Sequence, residues 1–512
     1  MLYTDDDLTK VTTSGLVFNY ASERQTNACV RRKIVFNDTI DHDRLETAME
    51  LTRRRYPQLS LALTRTDSGV APVPNAKPFR LSPLVRKPYT MGLDTNGHLL
   101  AFHAGKTVLL VDYFHGVVDD AGMDRFLHTL LHTYLSLMGY DLDNSDGRIS
   151  TVLEEFDPSE GEDPGAALLA SGKMDRPEGQ PKKAFKIKGR RRSNDEPDYA
   201  YIIRVDLPEV LAYSKANGAS PSATLATLFS RVLFRHYLAG IMGKDPIVCE
   251  VAVNLRNFFP SNTMRNFVGN IYLGYDAELD ALAASDACRQ LSESLKAQNT
   301  EACQHAFHNH SLMLADKWFG EGGLPPYAKN WVHKHIAIRA MEGGMTYGIS
   351  NIGKEQLPVC LQPHIKDYYS MIPSGLHAYL LSMRSLGETL TICVTSKLDD
   401  SGEVVRGLVD LLVEEGIGAR LDSSEDFYYT KYVQGQTVTP PYEPKVDLSP
   451  AMDAIMHRIE GVQTSSYERK FRKAQAQSSR HQEQGHVPVS KKRRGTPYKA
   501  PEGDRFHRTQ SK

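Results

Sequence analysis

Apolar and polar positions along the first third of the chain alternate between the spacing of strands and the spacing of helices. The spacing over 41–55 predicts an amphipathic helix that ends at Tyr56-Pro57, and the apolar positions from Phe126 to Met138 predict a second helix. Strands are predicted over 29–36, 59–64, 99–103 and 107–114, and the last two form a hairpin. These elements predict a βαβ-like opening followed by a hairpin and a helix.

A second series of the same kind follows from about residue 199. A helix is predicted to open at Ser220-Pro221, because serine is a favoured N-cap and proline is favoured at the first helical position. The other predicted elements are strands over 201–205, 247–253, 344–349, 376–383 and 389–396, and helices over 208–216 and 408–416. Strands that alternate with helices in two similar halves predict an α/β (α+β) fold of two lobes.

Composition divides the chain into four predicted segments. An N-terminal lobe over 1–155 is followed by a breaker-rich, then basic, linker or crossover over 156–198. A C-terminal lobe over 199–432 precedes a tail over 433–512. The tail is rich in Gln, Ser, Lys and Arg, so it is predicted to be disordered.

The charge distribution and the cysteine pattern indicate the cellular location of the protein rather than its activity. The formal net charge is −1, yet residues 444–512 carry 15 Lys and Arg against 7 Asp and Glu, so an acidic body bears a basic tail. The six cysteines are scattered without a CxxC pair, which is typical of reduced thiols. The chain shows no secretory signal and no apolar run long enough to cross a membrane. We therefore expect a cytoplasmic protein without a membrane span.

The candidate chemistry lies at the end of the strand over 107–114, where His115 is followed four residues later by Asp119. A histidine between a buried strand and a helix can expose a ring nitrogen in a cleft. Its ordinary pKa of about 6.5 lets it accept a proton from a hydroxyl or an amine. Asp119 can orient this imidazole or simply cap the following helix. The alternative for His115 is a solvent-facing loop residue.

The segment from Phe114 to Asp120 resembles the HHxxxDG signature of the superfamily of chloramphenicol acetyltransferases and condensation domains, which includes alcohol acyltransferases. Phe114 stands where the signature has its first His, and Asp120 stands where it has Gly. Glycine permits positive φ and close backbone approach, which aspartate tolerates less well. The additional carboxylate can also repel an anionic substrate or raise the basicity of His115.

Further segments match in order over about residues 10–425. Residues 253–260 and 263–270 resemble the "NLRxxxP" and "NFxGN" stretches of bacterial alcohol-acetyltransferase-like proteins. Residues 349–353 resemble their "SNlG" turn, and residues 184–189 their "AFKIKG" crossover. The resemblance is therefore nearest to that branch of the HxxxD acyltransferase superfamily.

The resemblance implies two lobes, each with a mixed sheet packed against helices, and a tunnel between them. An acyl-CoA co-substrate, its acyl group expected to be acetyl, enters this tunnel from one side and an alcohol from the other. His115 is the expected general base, and no bound cofactor or metal is needed. In relatives the motif aspartate turns away from the substrate and pairs with an arginine. Asp119 is the candidate for that role, with its arginine partner not identified.

Four further residues are candidates for substrate or oxyanion contact. For Arg256 and Asn266 the alternatives are support of lobe packing and capping of a turn. Ser350 and Asn351 can donate to an oxyanion or merely shape a turn.

Two other functions remain open. One is amide or ester formation from a thioester on a carrier protein, with an amine or alcohol as acceptor. The other is a binding protein of this fold without catalysis, a hypothesis supported by Asp120 and the charged tail.

Two other features of the sequence call to mind a zinc site and a nucleic-acid partner, but neither has the pattern that such a site requires. Cys303, His305, His308 and His310 form a His-rich cluster, but helical spacing scatters them over different faces, whereas zinc needs converging ligands. The basic tail lacks the interleaved aromatic residues of an RNA-binding segment, so we do not expect nucleic-acid binding.

Overall fold

A computed structural model of the chain shows a mixed α/β protein with two large sheets. It describes residues 29–66, 69–84, 95–144, 147–169, 183–192, 196–239, 245–309, 324–332, 344–351 and 357–427. The tail predicted over 433–512 lies outside these ranges. Among the described residues, no helix has both the length and the apolar character that a membrane crossing requires.

The first lobe is built on a five-stranded sheet. Its strands are β1 (Cys29–Phe36), β4 (Leu81–Pro83), β5 (Leu100–Ala104), β6 (Val108–Phe114) and β11 (Ile365–Met371), and they run in the order β11-β1-β6-β5-β4. Two helices, α1 (His42–Arg55) and α2 (Asp120–Leu137), pack against it through a core that includes Leu45, Phe102 and Phe126. The prediction of a hairpin that delivers His115 is confirmed, because β5 and β6 pair antiparallel.

The prediction of a βαβ-like opening is wrong, because its two strands, β1 and the strand that follows α1, lie in different sheets. After α1 the chain makes a 3₁₀ turn (Pro57–Leu59), and β2 (Leu61–Thr66) then pairs with β3 (Gly69–Pro74) in a separate two-stranded sheet. Pro72 and Pro74 lie opposite Leu63 and Leu61. Because proline has no N–H to donate, β3 is suited to an edge position.

The second lobe is built on a seven-stranded sheet in the order β14-β7-β13-β12-β10-β8-β9. These strands are β7 (Asp198–Asp206), β8 (Ile247–Asn254), β9 (Val268–Tyr275), β10 (Tyr347–Asn351), β12 (Tyr379–Leu386), β13 (Thr389–Ser396) and β14 (Ala419–Phe427). Both sheets mix parallel and antiparallel pairs, as predicted. Helices described after residue 160 include α3 (Pro164–Leu169), α4 (Leu207–Ala216), α5 (Pro221–Tyr237), α6 (Ala277–Asp280), α7 (Ala284–Gln298), α8 (Pro326–Val332) and α9 (Ser401–Glu414).

One face of the second sheet carries the larger core. Leu225 and Phe229 of α5, Leu291 of α7 and Leu408 of α9 pack there at 2% exposure or less. Ser220 caps α5 as predicted, accepting the Ala223 backbone N–H at 3.2 Å. Helix α9 begins at Ser401 rather than at the predicted residue 408. Gly402 and Gly407 lower the helix propensity of its first turns, which obscured the start.

Strand β11 joins the two lobes. It comes from the predicted C-terminal lobe, yet it pairs antiparallel with β1 in the first sheet. Its Tyr369 and Met371 pack against Ala200, Ile202 and Cys393, which alternate along the strands with the residues of the larger core and so lie on the opposite face of the second sheet. The boundary predicted at residue 199 therefore does not separate the two sheets along the chain.

The segment predicted as a linker contains an ordered junction. Residues Pro158–Gly161 form a 3₁₀ turn whose Glu160 is 2% exposed. This carboxylate accepts both Nη atoms of Arg55 at 2.9 Å and Nη2 of Arg125 at 2.7 Å. The Glu160 carbonyl accepts the backbone N–H of Met264 at 2.8 Å. The first half of the predicted linker thus holds the helices of the first lobe against a segment of the second half of the chain.

Candidate active site

His115 is placed by the central strand of the first sheet. Strand β6 pairs with β1 on one side and β5 on the other, so the backbone that leads to His115 is fixed on both edges. The imidazole is half-buried, and its Nδ1 lies 3.0 Å from the carbonyl oxygen of Val118. Because a carbonyl oxygen can only accept, Nδ1 carries the proton in this hydrogen bond, and the neutral ring keeps its lone pair on Nε2.

Asp119 caps the next helix and forms an ion pair at the same time. Its carboxylate accepts the backbone N–H of Gly122 at 2.8 Å, as an N-cap does, and that of Phe267 at 3.0 Å. Arg256 donates to both oxygens, at 2.7 Å to Oδ2 and 3.2 Å to Oδ1. The side chain of Asp119 is 2% exposed and that of Arg256 is 15% exposed. The arginine partner that the sequence left unidentified is therefore Arg256.

Residues 254–267 enclose the loop that carries His115. Arg256 also donates to the carbonyl oxygens of Thr263 and Arg265, both at 2.8 Å, and to Oδ1 of Asn254 at 3.2 Å. The Asn266 amide donates to the carbonyl oxygen of His115. Arg256 and Asn266 therefore donate hydrogen bonds to oxygens of the protein itself, both in this loop and in residues 254–265 beside it.

A second arginine of this segment reaches the same loop. Arg265 is 1% exposed, and its Nη1 donates to the carbonyl oxygen of Val117 at 3.4 Å. Burial lowers the pKa of Arg265 to about 10, which leaves it charged at neutral pH. Sequence reasoning did not single out Arg265, although it lies inside the quoted 263–270 match.

Ser350 and Asn351 lie at the carboxyl end of β10 in the second lobe. Ser350 is in register with Ser382 of the parallel strand β12, and the amide of Asn351 donates to the hydroxyl of Ser222 at 2.8 Å. Both side chains are partly exposed. The rest of the "SNlG" resemblance, Ile352 and Gly353, falls outside the described residues. Donation by these two residues to an oxyanion stays a prediction.

Asp120 occupies the glycine position of the motif without backbone strain. It is the first residue of α2, and its φ is not positive. Its carboxylate pairs with Nη2 of Arg32 at 2.8 Å and accepts the Tyr113 hydroxyl, so it is not an unpaired charge beside His115. The close approach occurs at Gly122 instead, where an added Cβ would overlap the carbonyl of Met264.

The described histidines of the His-rich segment, His305 and His308, have other contacts. His308 packs edge-on against the ring of Phe267, and burial lowers its pKa to about 4. The amide of Asn309 lies 3.4 Å from Nδ1 of His305. Within the described ranges, no three His, Cys, Asp or Glu side chains converge as a metal site would require. His310 is outside those ranges.

No protein-family model matches the chain, and no curated protein matches it in sequence. Solved structures do match. Polyketide synthase associated protein 5 from Mycobacterium tuberculosis is 15% identical with a TM-score of 0.52, over 80% of this chain and 98% of that one. The condensation domain of the monacolin K polyketide synthase MokA is 13% identical with a TM-score of 0.50, over 79% and 97%.

A third match is TRI101 from F. graminearum, in a complex with coenzyme A and deoxynivalenol. It is 11% identical with a TM-score of 0.53, over 80% of this chain and 99% of that one. The three proteins are each covered almost end to end, so the likeness extends over both lobes. The chain therefore has the same two-lobed fold as these three structures.

Proposed function

We propose that the protein is an acyltransferase that moves an acyl group, in the first place acetyl, from acyl-CoA to an alcohol, with His115 as the general base. The observation that carries the proposal is the Nδ1–H bond from His115 to the Val118 carbonyl, which leaves the Nε2 lone pair to accept a proton. The likeness to TRI101, solved with coenzyme A and deoxynivalenol, supports a CoA thioester as donor.

The reaction needs one base and no covalent enzyme intermediate. Nε2 of His115 takes the proton of the acceptor hydroxyl while its oxygen attacks the thioester carbonyl. The tetrahedral oxyanion then collapses, and the C–S bond breaks. The departing thiolate receives the proton held by the imidazolium, so the products are an ester and free CoA. Ser350 and Asn351 are our candidates to donate hydrogen bonds to the oxyanion.

Asp119, Arg256 and Asn266 are proposed as positioning residues. Asp119 is held by Arg256 and by two backbone N–H groups, so it orders the start of α2. Asn266 holds the backbone of His115 itself. Fixing the imidazole before the substrate arrives lowers the entropic cost of reaching the reactive geometry.

A second candidate donor is a thioester on a carrier protein. It is favoured by the likeness to the MokA condensation domain and to polyketide synthase associated protein 5. The same base would then act on an alcohol or an amine, and the product would be an ester or an amide. We also retain the cytoplasm as the proposed location, on the cysteine pattern of the sequence.

The test is a panel of acyl-CoAs of increasing length and acyl-loaded carrier protein, each with alcohols and amines. Release of the free thiol is measured for wild type, His115→Ala and the control His42→Ala, which removes an exposed imidazole at the start of α1. We expect acceptor-dependent release that falls at least 100-fold in His115→Ala and is unchanged in the control. Equal release by His115→Ala would refute the proposed base, and no release with any donor would leave a binding role.

A further inference from the structure

A buried charge cluster lies beneath the start of α2. It consists of Arg32 on β1, Asp120 and Asp124 on α2, and Arg384 on β12. Arg32 is fully buried and lies 2.8 Å from Asp120 and 3.2 Å from Asp124. Arg384 pairs with Asp124 at 2.9 Å. Burial alone would lower the pKa of Arg32, but attraction to Asp120 and Asp124 outweighs it and raises that pKa, so Arg32 stays charged.

The side chain of Tyr113 connects the cluster to His115. The hydroxyl of Tyr113 contacts the Asp120 carboxylate, and the Tyr113 ring lies 6.5 Å from the ring of His115 between centroids, edge to face. Asp120 also directly follows Asp119, the cap of α2. The carboxylate of Asp120 is thus linked to the proposed base through the Tyr113 ring.

Other charged groups on the elements around this loop also have contacts within the protein. Arg31 of β1 pairs with Asp112 of β6 at 2.7 Å. Asp119 pairs with Arg256, and Asp124 with Arg384. Arg265 donates to the Val117 carbonyl. Burial lowers the pKa of His128 to about 4, so it is neutral at working pH, and Tyr368 of β11 donates to Asp124.

We propose that Arg32 is a positioning residue of the acyl-transfer site, which neutralises the aspartate in the motif's glycine position and thereby sets the charge beside His115. The inference rests on the proposed function, because it assigns Arg32 a role toward that same base. Its physical basis is that the Arg32 side chain is fully buried where it meets Asp120, which is 15% exposed, and Asp124, which is 2% exposed, so that a charge left without its partner is only partly screened.

The proposal predicts opposite effects of removing either charge. Without Arg32, the Asp120 carboxylate favours the imidazolium, so the base is lost to protonation at a higher pH. Without the Asp120 charge, Arg32 disfavours the imidazolium, and the acid limb moves to a lower pH. For charges linked through the Tyr113 side chain in a partly screened site, each shift should be about half a pH unit or more.

The experiment measures the pH profile of kcat/KM and the melting temperature for Arg32→Met, Asp120→Asn and the double variant. The control is Asp286→Asn, which removes a carboxylate from an exposed pair with Arg289. We expect the acid limb to rise in Arg32→Met, to fall in Asp120→Asn and to return to within 0.2 pH units of wild type in the double variant, roughly the precision of such a profile. A merely structural role for Arg32 would lower melting temperature and rate without moving the limb.

Superimposable profiles in folded variants, or shifts of the same sign, would overturn the inference. If Arg32→Met does not fold, Asp120→Asn decides the matter by the direction of its shift. If the wild type transfers no acyl group, the proposed function fails, and the pH dependence of carbethoxylation of His115 by diethyl pyrocarbonate is followed by peptide mass spectrometry. The same opposite shifts then support the inference, and unchanged midpoints refute it.

Discussion

The ion pair between Asp119 and Arg256 should bind the two parts of the site together, and its strength can be measured. Asp119 belongs to α2 of the first lobe, and Arg256 follows β8 of the second sheet, 137 residues later. Arg256→Ala removes both charge-assisted bonds to the carboxylate of Asp119, which is 2% exposed in the wild type. Asp119→Ala leaves the guanidinium with backbone carbonyls and Asn254 as partners.

The expected magnitude follows from burial and from the contacts that survive. Breaking a buried ion pair from one side costs about 3–5 kcal/mol. After Arg256→Ala the carboxylate still accepts the backbone N–H groups of Gly122 and Phe267, so we expect the lower end, about 3 kcal/mol. A loss of this size is a large part of the ~5–15 kcal/mol that stabilises a typical domain.

The assay is a double-mutant cycle on the free energy of unfolding in urea, followed by circular dichroism at neutral pH. Wild type, Arg256→Ala, Asp119→Ala and the double variant should give a coupling energy of about 2–3 kcal/mol. The control cycle is the exposed pair Asp286–Arg289, 2.8 Å apart, for which less than about 1 kcal/mol is expected. A coupling energy at Asp119–Arg256 no larger than that of the control would refute the reasoning.

Three further outcomes are expected. Gly122→Ala should lower the melting temperature by several degrees, because its Cβ would overlap the Met264 carbonyl, whereas Gly344→Ala, with nothing within 4 Å, should not; equal melting temperatures would contradict this. Burial raises the pKa of Glu250, but bonds to His377 and Tyr272 outweigh it and lower that pKa. Its contribution to stability is therefore present above pH ~4.3 and is lost as the pH falls further, so Glu250→Gln should flatten acid unfolding in that range. Burial lowers the pKa of His98 to about 4, so the unfolded chain binds more protons between pH ~6.5 and 4. Stability should therefore fall as the pH decreases from ~6.5 to 4, and it should fall less in His98→Gln. Urea unfolding at each pH measures both curves.

Elements with strong local signals were predicted from the sequence almost to the residue. Helix α1 runs over His42–Arg55 with Asp41 as its cap, and it ends before Pro57. Strand β13 was predicted over 389–396 and is found there. Each depends on a pattern within about fifteen residues: an apolar spacing, a capping side chain or a proline.

Strands without such a pattern were missed. Strand β14 (Ala419–Phe427) carries mostly polar residues and lies at the edge of the second sheet, where one side needs no partner. Strand β11 was also missed, and its place in the first sheet is visible only from its pairing with β1. Neither the edge position nor a pairing across more than 300 residues leaves a local trace in the sequence.

By itself, the sequence determined the two-lobed α/β class and the positions of His115 and Asp119 between a strand and a helix, because hydrophobic period and capping are local properties. Only the tertiary structure decided that Arg256 is the partner of Asp119 and that Asn266 holds the His115 backbone. It also paired Arg32 with Asp120, which makes an aspartate tolerable in the glycine position. These contacts join residues some 90 to 150 positions apart in the chain, so they exist only in the folded protein: the first two link the two lobes, and the third forms within the first lobe.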